Sequence, residues 1–471
     1  MRGAVLLLTF QDYEEYKSRG ETNKFIGVAI TEHRADSMYV EAKMADAYDH
    51  QLNITINEYV QTIFNLAGDS VEDFTASNNK IASNFFHRLN TQRCTYSLGN
   101  GVSFQKEGTK DKLGKDFDTK LWDLGYKALI HGVSFGFWNV DKLHVFPFTE
   151  FIPLWDEYDG TLKAGIRYWR LDFNKPITAI LYEIDGYTRY KSVDGNLLFE
   201  MEQEQKPYKT RMTYTENGGA EVIGVENYSS LPIVPMWGSK LHQSTLVGMR
   251  EAIDSFDLIR SGFANDLTDC SQIYWIISNC GGMTDEDLAK FRDRLKINHI
   301  VNADTGDVHP YTQEIPYAAR KQYLDDIRAG IYEDFGGLDV HTVAAGATND
   351  HIDAAYQPLD ENADDFEYNI IEFITQVLNL IGIEDIPIFK RNRISNQKEQ
   401  TEMVLQAAQY LDEETMLNKL PFITPDEVSA ILRRRDAEDM TRFNTVQEAT
   451  EEPEEAPEDT PIQEYGDTVE A

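Results

Sequence analysis

Cysteine is scarce in this chain: Cys94, Cys270 and Cys280 are the only three among 471 residues. They form no CxxC pair and no disulfide framework, and read as free thiols of a reducing compartment. Positive charge is also short. Against 80 Asp and Glu stand 44 Lys and Arg, a formal net charge of −36. Such a field repels free nucleic acid and argues against a sequence reader that grips phosphates. No stretch reaches the roughly eighteen apolar residues of a membrane span. The brief apolar run in MRGAVLLLTF lacks a small-residue cleavage site, so it reads as the start of a buried strand or helix, not a signal peptide. A soluble, intracellular protein is expected. Glycine–lysine phosphate loops, GxGxxG, HExxH and GxSxG are all missing, which removes the commonest nucleotide, zinc-protease and serine-hydrolase chemistries. Internal repeats of fixed period are missing too.

What is present is apolar and aromatic. With 41% hydrophobic and 11% aromatic residues the chain can bury a large core, and its length suits about three domains. Its organising stretch is Ser244 to Asp266. There Leu246, Met249, Ile253, Phe256, Phe263 and Leu267 recur at helical spacing, and Ser244 or Thr245 can cap the start. The opposite face carries Arg250, Glu251, Asp254, Asp257 and Arg260. A second helix is expected from Pro316 to Phe335, with Tyr317, Leu324, Ile327, Ile331 and Phe335 on one face and Gly336-Gly337 as its stop. Between them lies a small strand–helix–strand piece of about fifty residues.

Elsewhere the period changes along the chain. Residues 40–95 read as helical, and CTYSLGNGVSFQ reads as a hairpin turning at Asn100-Gly101. Phe117 to His131 is an amphipathic helix ended by Gly132. From Val133 to Pro235 short aromatic-rich strands alternate with Asp-Gly turns (Asp159-Gly160, Asp185-Gly186, Asp194-Gly195), which predicts an antiparallel meander. A weakly patterned loop follows Gly337. Pro358 is expected to open a third long helix with Ala363, Phe366, Ile370, Phe373, Val377 and Ile381 buried. Asp360, Glu361, Asp364 and Asp365 would then sit at its positive end. Residues 396–443 are helical, Thr424 to Glu427 forming a capping box. The acidic tail, with ten acids and no base between Glu448 and Glu470, reads as disordered.

Residue chemistry leaves three readings open. Asp156, Glu157 and Asp159 could serve a carbohydrate-active hydrolase working with paired carboxylates, although turn acids explain them as well. His341 and His351 could ligate a metal, but a lone pair of histidines in a polar loop is weak evidence. An acidic scaffold with a disordered tail is the third.

In order along the chain, NNKIASNFFHRLNTQRCTYSLGNGVSF, ALIHGVSFGFWNVD, FTEFIPLWDEYDGTLKAGIRYW and LPIVPMWGSKLHQSTLVGMREAIDSFDLIRSGFAND resemble segments of the portal proteins of tailed bacteriophages, long-tailed type. The collinear set, covering most of residues 50–443, carries the resemblance. It implies an α+β portal fold. Residues 1–243 would be the N-terminal part of a wing, 244–268 the first stem helix, 269–315 a clip and 316–335 the second stem helix. Residues 336–395 would hold a tunnel loop and wing helix, 396–443 a crown and 444–471 the tail.

The stem residues implied are Met249, Ile253, Asp254, Asp257, Ser261, Asn265, Asp266, Leu324, Ile327 and Ile331. Those of the tunnel loop are Asp339, His341, Thr342, Thr348, Asn349 and Asp350. Trp275, Asp285, Lys290, Arg294 and Asp304 would be clip positions that dock a connector. The resemblance further implies a dodecameric ring at one capsid vertex, assembled in the host cytoplasm. Double-stranded DNA would pass through it without sequence recognition. Terminase large subunit, head–tail adaptor, major capsid and scaffolding proteins would be partners, with no cofactor, metal, membrane or enzymatic activity. Two departures stand out: residues 338–352 contain no Lys or Arg, and the first forty residues match nothing in the pattern.

Overall fold

The computed structural model describes residues 8–64, 68–74, 76–193, 197–214, 220–269, 274–278, 284, 286, 290, 307–311, 316–340, 349–392, 397–420, 422–423, 427–435 and 437. The chain divides into two compact units, residues 1–393 and 394–471.

The first unit opens on helices α1 (Phe10–Ser18), α2 (Thr22–Ala35), α3 (Ser37–Asp49) and α4 (Ile54–Glu58). Thr9 starts α1 through a capping box: its hydroxyl accepts from the Asp12 N–H while the Asp12 carboxylate accepts from its own. Strands β1 (Thr62–Phe64) and β2 (Ser70–Glu72) form a separate hairpin. Next come α5 (Phe85–Leu98), β3 (Val102–Phe104), α6 (Thr109–Leu113) and α7 (Phe117–His131). The strand-rich part holds β4 (Val133–Asn139), β5 (Lys142–Pro147), β6 (Phe151–Trp155), β7 (Leu162–Trp169), β8 (Thr178–Glu183), β9 (Gly186–Ser192), β10 (Phe199–Lys206), β11 (Lys209–Tyr214), β12 (Ala220–Glu226) and β13 (Ile233–Trp237). Beyond them lie α8 (Arg250–Asp269), β14 (Tyr274–Ser278), β15 (Asp307–Tyr311), α9 (Tyr317–Phe335), α10 (Asn349–Ile381) and β16 (Pro387–Phe389).

Strands β6 to β10 pair with their chain neighbours in one antiparallel five-stranded sheet, the expected meander, whereas β13, β4 and β5 make a separate three-stranded sheet. At β6 to β8 the five-stranded sheet is buried on both faces, the period-2 alternation sending side chains to each. Ile152, Leu154, Ala164, Ile166, Tyr168, Ala179 and Leu181 pack against Tyr13, Phe25, Ile26, Ala29 and Ile30 of α1 and α2. Phe151, Ile180 and Tyr182 turn the other way into the main core with α7, α8 and α10. Helices α1 and α2 thus cover one face of this sheet. Helices and antiparallel sheets together make the fold α+β.

Four sequence expectations are corrected. Residues 62–64 form a strand, because Thr62, Ile63 and Phe64 are β-branched or aromatic and favour extended backbone over helix. The stretch CTYSL belongs to α5, so Asn100-Gly101 ends a helix, and β3 finds its partner in the distant β16. Pro358 lies inside α10, which starts nine residues earlier at Asn349. Asp360 and Asp364 therefore lie away from a helix end; together with Glu367 they accept from Arg391 instead. Those hydrogen bonds, led by Glu367, hold the guanidinium pKa above its ordinary value. The expected helix from Ser244 begins only at Arg250: the Leu246 N–H donates to Ser244 Oγ at 3.1 Å in a turn, and Gly248 takes φ +88°. Asp194-Gly195 and the capping box at 424–427 fall wholly or mostly outside the described residues.

The β4–β5 hairpin turns without glycine. Val140 occupies φ +60°, where a β-branched side chain costs about 1–2 kcal/mol, and its N–H donates to Tyr228 Oη at 2.8 Å. Glycine there keeps the hydrogen bond but adds unfolded-state entropy of about 0.5–1 kcal/mol. Val140→Gly is expected to raise unfolding free energy by the balance, about 1 kcal/mol, measured by urea titration; a fall in midpoint would contradict the strain.

The second unit holds α11 (Gln397–Ala407) and α12 (Glu413–Lys419), the latter capped by Asp412 accepting from Thr415 N–H at 3.0 Å. Val404, Leu417, Leu420 and Val428 form its small core.

Candidate functional site

Helices α8 and α9 pack on each other and are rooted at one end only. Met249, Ile253 and Phe256 near the start of α8 are buried in the main core, as are Ile331, Tyr332 and Phe335 at the end of α9. Leu324 and Ile327 are partly buried against that core. Toward the other end the pair emerges: Leu267, Tyr317 and Tyr323 are exposed. The two helices remain tied there by an Asp266–Arg320 ion pair and by Phe263 against Tyr317, ring centres 5.7 Å apart. The chain leaves α8 and re-enters α9 at this emergent end. The excursion is closed near its base by β14 and β15, which pair from Tyr274↔Tyr311 to Ser278↔Asp307.

One polar face of α8 is a hydrogen-bonding rail. Its acceptors at 257, 261 and 265 serve alternate N–H groups of an extended segment running the other way. Ser83 N–H donates to Asp257 Oδ1 at 2.9 Å, Ile81 N–H to Ser261 Oγ at 3.0 Å and Asn79 N–H to Asn265 Oδ1 at 2.6 Å. The match is geometric. Four helical residues advance about 6 Å and two extended residues about 6.6 Å, so the two backbones stay in step. Among the described residues the segment pairs with no strand, and the rail supplies the partners that its backbone needs.

Asp257 is fully buried, and Asn53 Nδ2 also donates to it. Burial pushes its carboxyl pKa up, while the donors from Asn53 and Ser83 pull against that shift. Asp254, one turn earlier, accepts from Tyr48 Oη and from Thr55 Oγ1 at 2.7 Å, with Arg250 Nε at 3.4 Å. Sequence pattern placed Asp257 on a charged outer face and Leu267 on the buried one; both assignments are reversed. The missed signal was a polar i, i+4, i+8 row (Asp257, Ser261, Asn265) in a helix otherwise apolar on its inner side.

Past α9, Gly336 closes the helix at φ +63°, its N–H donating to Glu333 O and Tyr332 O. A Cβ there would meet Asn362 Nδ2 at 2.1 Å. Asp339 accepts from Arg328 Nη2 at 2.9 Å on both oxygens, which pins the segment after α9 back onto that helix. Asn349 and Asp350 are backbone members of α10. His341, Thr342 and Thr348 lie outside the described residues, as do Asp285, Arg294 and Asp304. Trp275 pairs with Pro310 in the β14–β15 ladder, and Lys290 is exposed on helical backbone.

The carboxylates weighed for hydrolysis make turn contacts. Asp156 accepts from the Tyr158 N–H at 2.8 Å and from Gln11 Nε2, Glu157 from Thr9 Oγ1, and Asp159 from the Thr161 N–H. Among the described residues no cluster of three or more His, Cys, Asp or Glu could hold a metal ion. No described helix is long and apolar enough to cross a membrane.

Residues 39–452 match the family described as "Phage portal protein, SPP1 Gp6-like". The portal protein of Clostridium phage phiCD119 is 25% identical over 384 residues, covering 74% of this chain and 82% of that protein. The portal protein of Bacillus phage SPP1 is 24% identical over 423 residues, covering 82% of this chain and 81% of that one. A chain of the solved structure titled "Neck of native GTA particle computed with C12 symmetry" aligns with a TM-score of 0.41 at 11% identity, over 72% of this chain and 90% of that chain.

Proposed function

The chain belongs to the SPP1 Gp6-like phage portal proteins, and on that premise we propose that twelve copies close into a ring at one capsid vertex, a channel through which double-stranded DNA is packaged and ejected. One observation carries the reading most directly. Helices α8 and α9 are anchored in the core at one end, and at the other they carry a module closed by its own β ladder. In this reading residues 244–268 and 316–335 form the stem, and 269–315 the clip that meets a head–tail adaptor. Residues 336–352 narrow the channel, and 396–443 form a crown facing the capsid interior. Terminase large subunit docks from outside to drive packaging; major capsid and scaffolding proteins surround the ring during assembly in the host cytoplasm.

The charge supports passage over grip. Each phosphate contact adds a counterion-release term that holds DNA in place, and a chain of −36 makes few of them. The hydrolase reading finds no support, because its carboxylates are satisfied by neighbouring backbone and side chains. The test is the mass of the purified full chain in solution, with negative-stain images of the same peak. A peak near twelve subunits with a central hole is expected; a monomer at every concentration, with or without scaffolding protein, would overturn the ring.

A further inference from the structure

The β1–β2 hairpin makes a sheet by itself: among the described residues its strands pair with no third strand, and a two-stranded unit is of marginal stability in water. It nevertheless carries large apolar groups outward. Phe64 is 79% and Phe74, just beyond β2, 85% exposed, and Val60, Ile63 and Val71 are exposed beside them. The emergent part of the α8–α9 pair has the converse feature. A groove there is lined by Ile259, Gly262, Asp266, Ala319, Arg320 and Tyr323, with the small residues Gly262 and Ala319 leaving room for a ring.

The two features lie on opposite sides of α8. The segment at 79–83, which follows the hairpin, hydrogen-bonds to Asp257, Ser261 and Asn265. Ile259, Gly262 and Asp266 lie about 140–200° around the helix from Asp257 at 3.6 residues per turn. Charge agrees as well: residues 58–74 carry Glu58, Asp69, Glu72 and Asp73 and no base, whereas at the groove Asp266 is neutralised by Arg320 and Lys321 follows on α9. A knob on one side and a complementary hole on the other make a heterologous contact, which generates a ring when its rotation closes.

We infer that the β1–β2 hairpin of one copy seats Phe64 and Phe74 in the α8–α9 groove of the next copy. This rests on the ring reading above and names one contact that would hold the ring together. Phe64 and Phe74 gain cover, and the exposed Tyr323 at the groove loses water contact in the same step.

The test uses the full chain with Cys94, Cys270 and Cys280 replaced by serine, carrying Phe64→Cys and Ala319→Cys and treated with a short bis-maleimide. The expected result is a ladder of covalent multimers rising to the ring mass, absent from either single-cysteine chain. Separately, Phe64→Asp with Phe74→Asp is expected to lower the ring fraction at least about tenfold at equal chain concentration, as a loss of about 1.4 kcal/mol per contact would do. A cross-link confined to the monomer band, or a ring that forms with no ladder and survives both aspartates, overturns the contact while leaving the ring intact. A parent chain that never forms a ring overturns both.

Discussion

Asp257→Ala is expected to lower the unfolding free energy by about 3 kcal/mol, because it strands two buried donors at once, Ser83 N–H and Asn53 Nδ2. The loss falls where α8 leaves the core, so the extended segment at 79–83 should loosen with it. Amide exchange at Ser83 and Ile81 is expected to quicken, and the same change at exposed Glu251 should leave both amides alone. Asp257→Asn should be far milder, about 1 kcal/mol. Asparagine keeps one acceptor, its Oδ1, for the Ser83 N–H, and Asn53 Nδ2 keeps its bond to Ser83 O at 3.1 Å.

The pair of variants also reads out protonation. Burial raises the folded-state pKa of Asp257 above the ordinary 3.8, so the folded protein holds that proton more tightly than the unfolded chain. The stabilisation this gives is fully present below the unfolded value and is lost as pH rises through the folded one. Asparagine carries no such dependence. The wild type should therefore gain stability relative to Asp257→Asn when urea midpoints are compared at pH 7 and then near pH 4; a relative loss would show that the carboxylate is not held against its burial.

How much of this was legible beforehand depends on which force shaped each element. Where hydrophobic period decided, sequence sufficed: α7 runs from Phe117 to His131 with Gly132 after it, and Phe366, Ile370, Phe373 and Val377 of α10 are buried as spaced. The Asp185-Gly186 turn of the meander was likewise readable from its residues. What failed were long-range partnerships. Nothing local says that α1 and α2 cap the five-stranded sheet, or that β3 pairs across some 280 residues with β16. Residues 77–84 read as helical from their spacing, yet they run extended, because their partners are side chains of a helix far along the chain. Pro358 misled for a different reason. Proline favours a first turn, but a helix tolerates it internally when tertiary packing compensates the lost hydrogen bond, and here Tyr356 and Leu359 are buried on either side of it. Of the α8 and α9 positions, the rooted apolar ones were visible as pattern, whereas the roles of Asp257, Ser261 and Asn265 needed the fold. The portal family itself was legible in the order of segments, which survives where single motifs do not.

Phe373→Ala should carry the largest cost of any single substitution considered, about 3–5 kcal/mol. Phe373 is 1% exposed on α10, and its ring lies on the backbone of β4 at Gly136, where an added Cβ would meet the ring carbons at 2.5 and 2.6 Å. The truncation removes the ring and leaves a void that a helix held along its whole buried face cannot close. The reciprocal change, Gly136→Ala, overpacks the same contact and should cost about 1–3 kcal/mol by itself. Combined, the two should cost less than their sum by about 1–2 kcal/mol, since the new methyl enters the space the ring has left. Strict additivity in urea titrations of the four proteins would sink the argument that glycine is needed there for the ring. Phe373 shares its core with Met249, Ile253 and Ile331, the roots of α8 and α9. In the proposed ring, heating the Phe373→Ala chain should therefore lose ring mass at the same lowered temperature at which it unfolds, because α8 and α9 root in this same core.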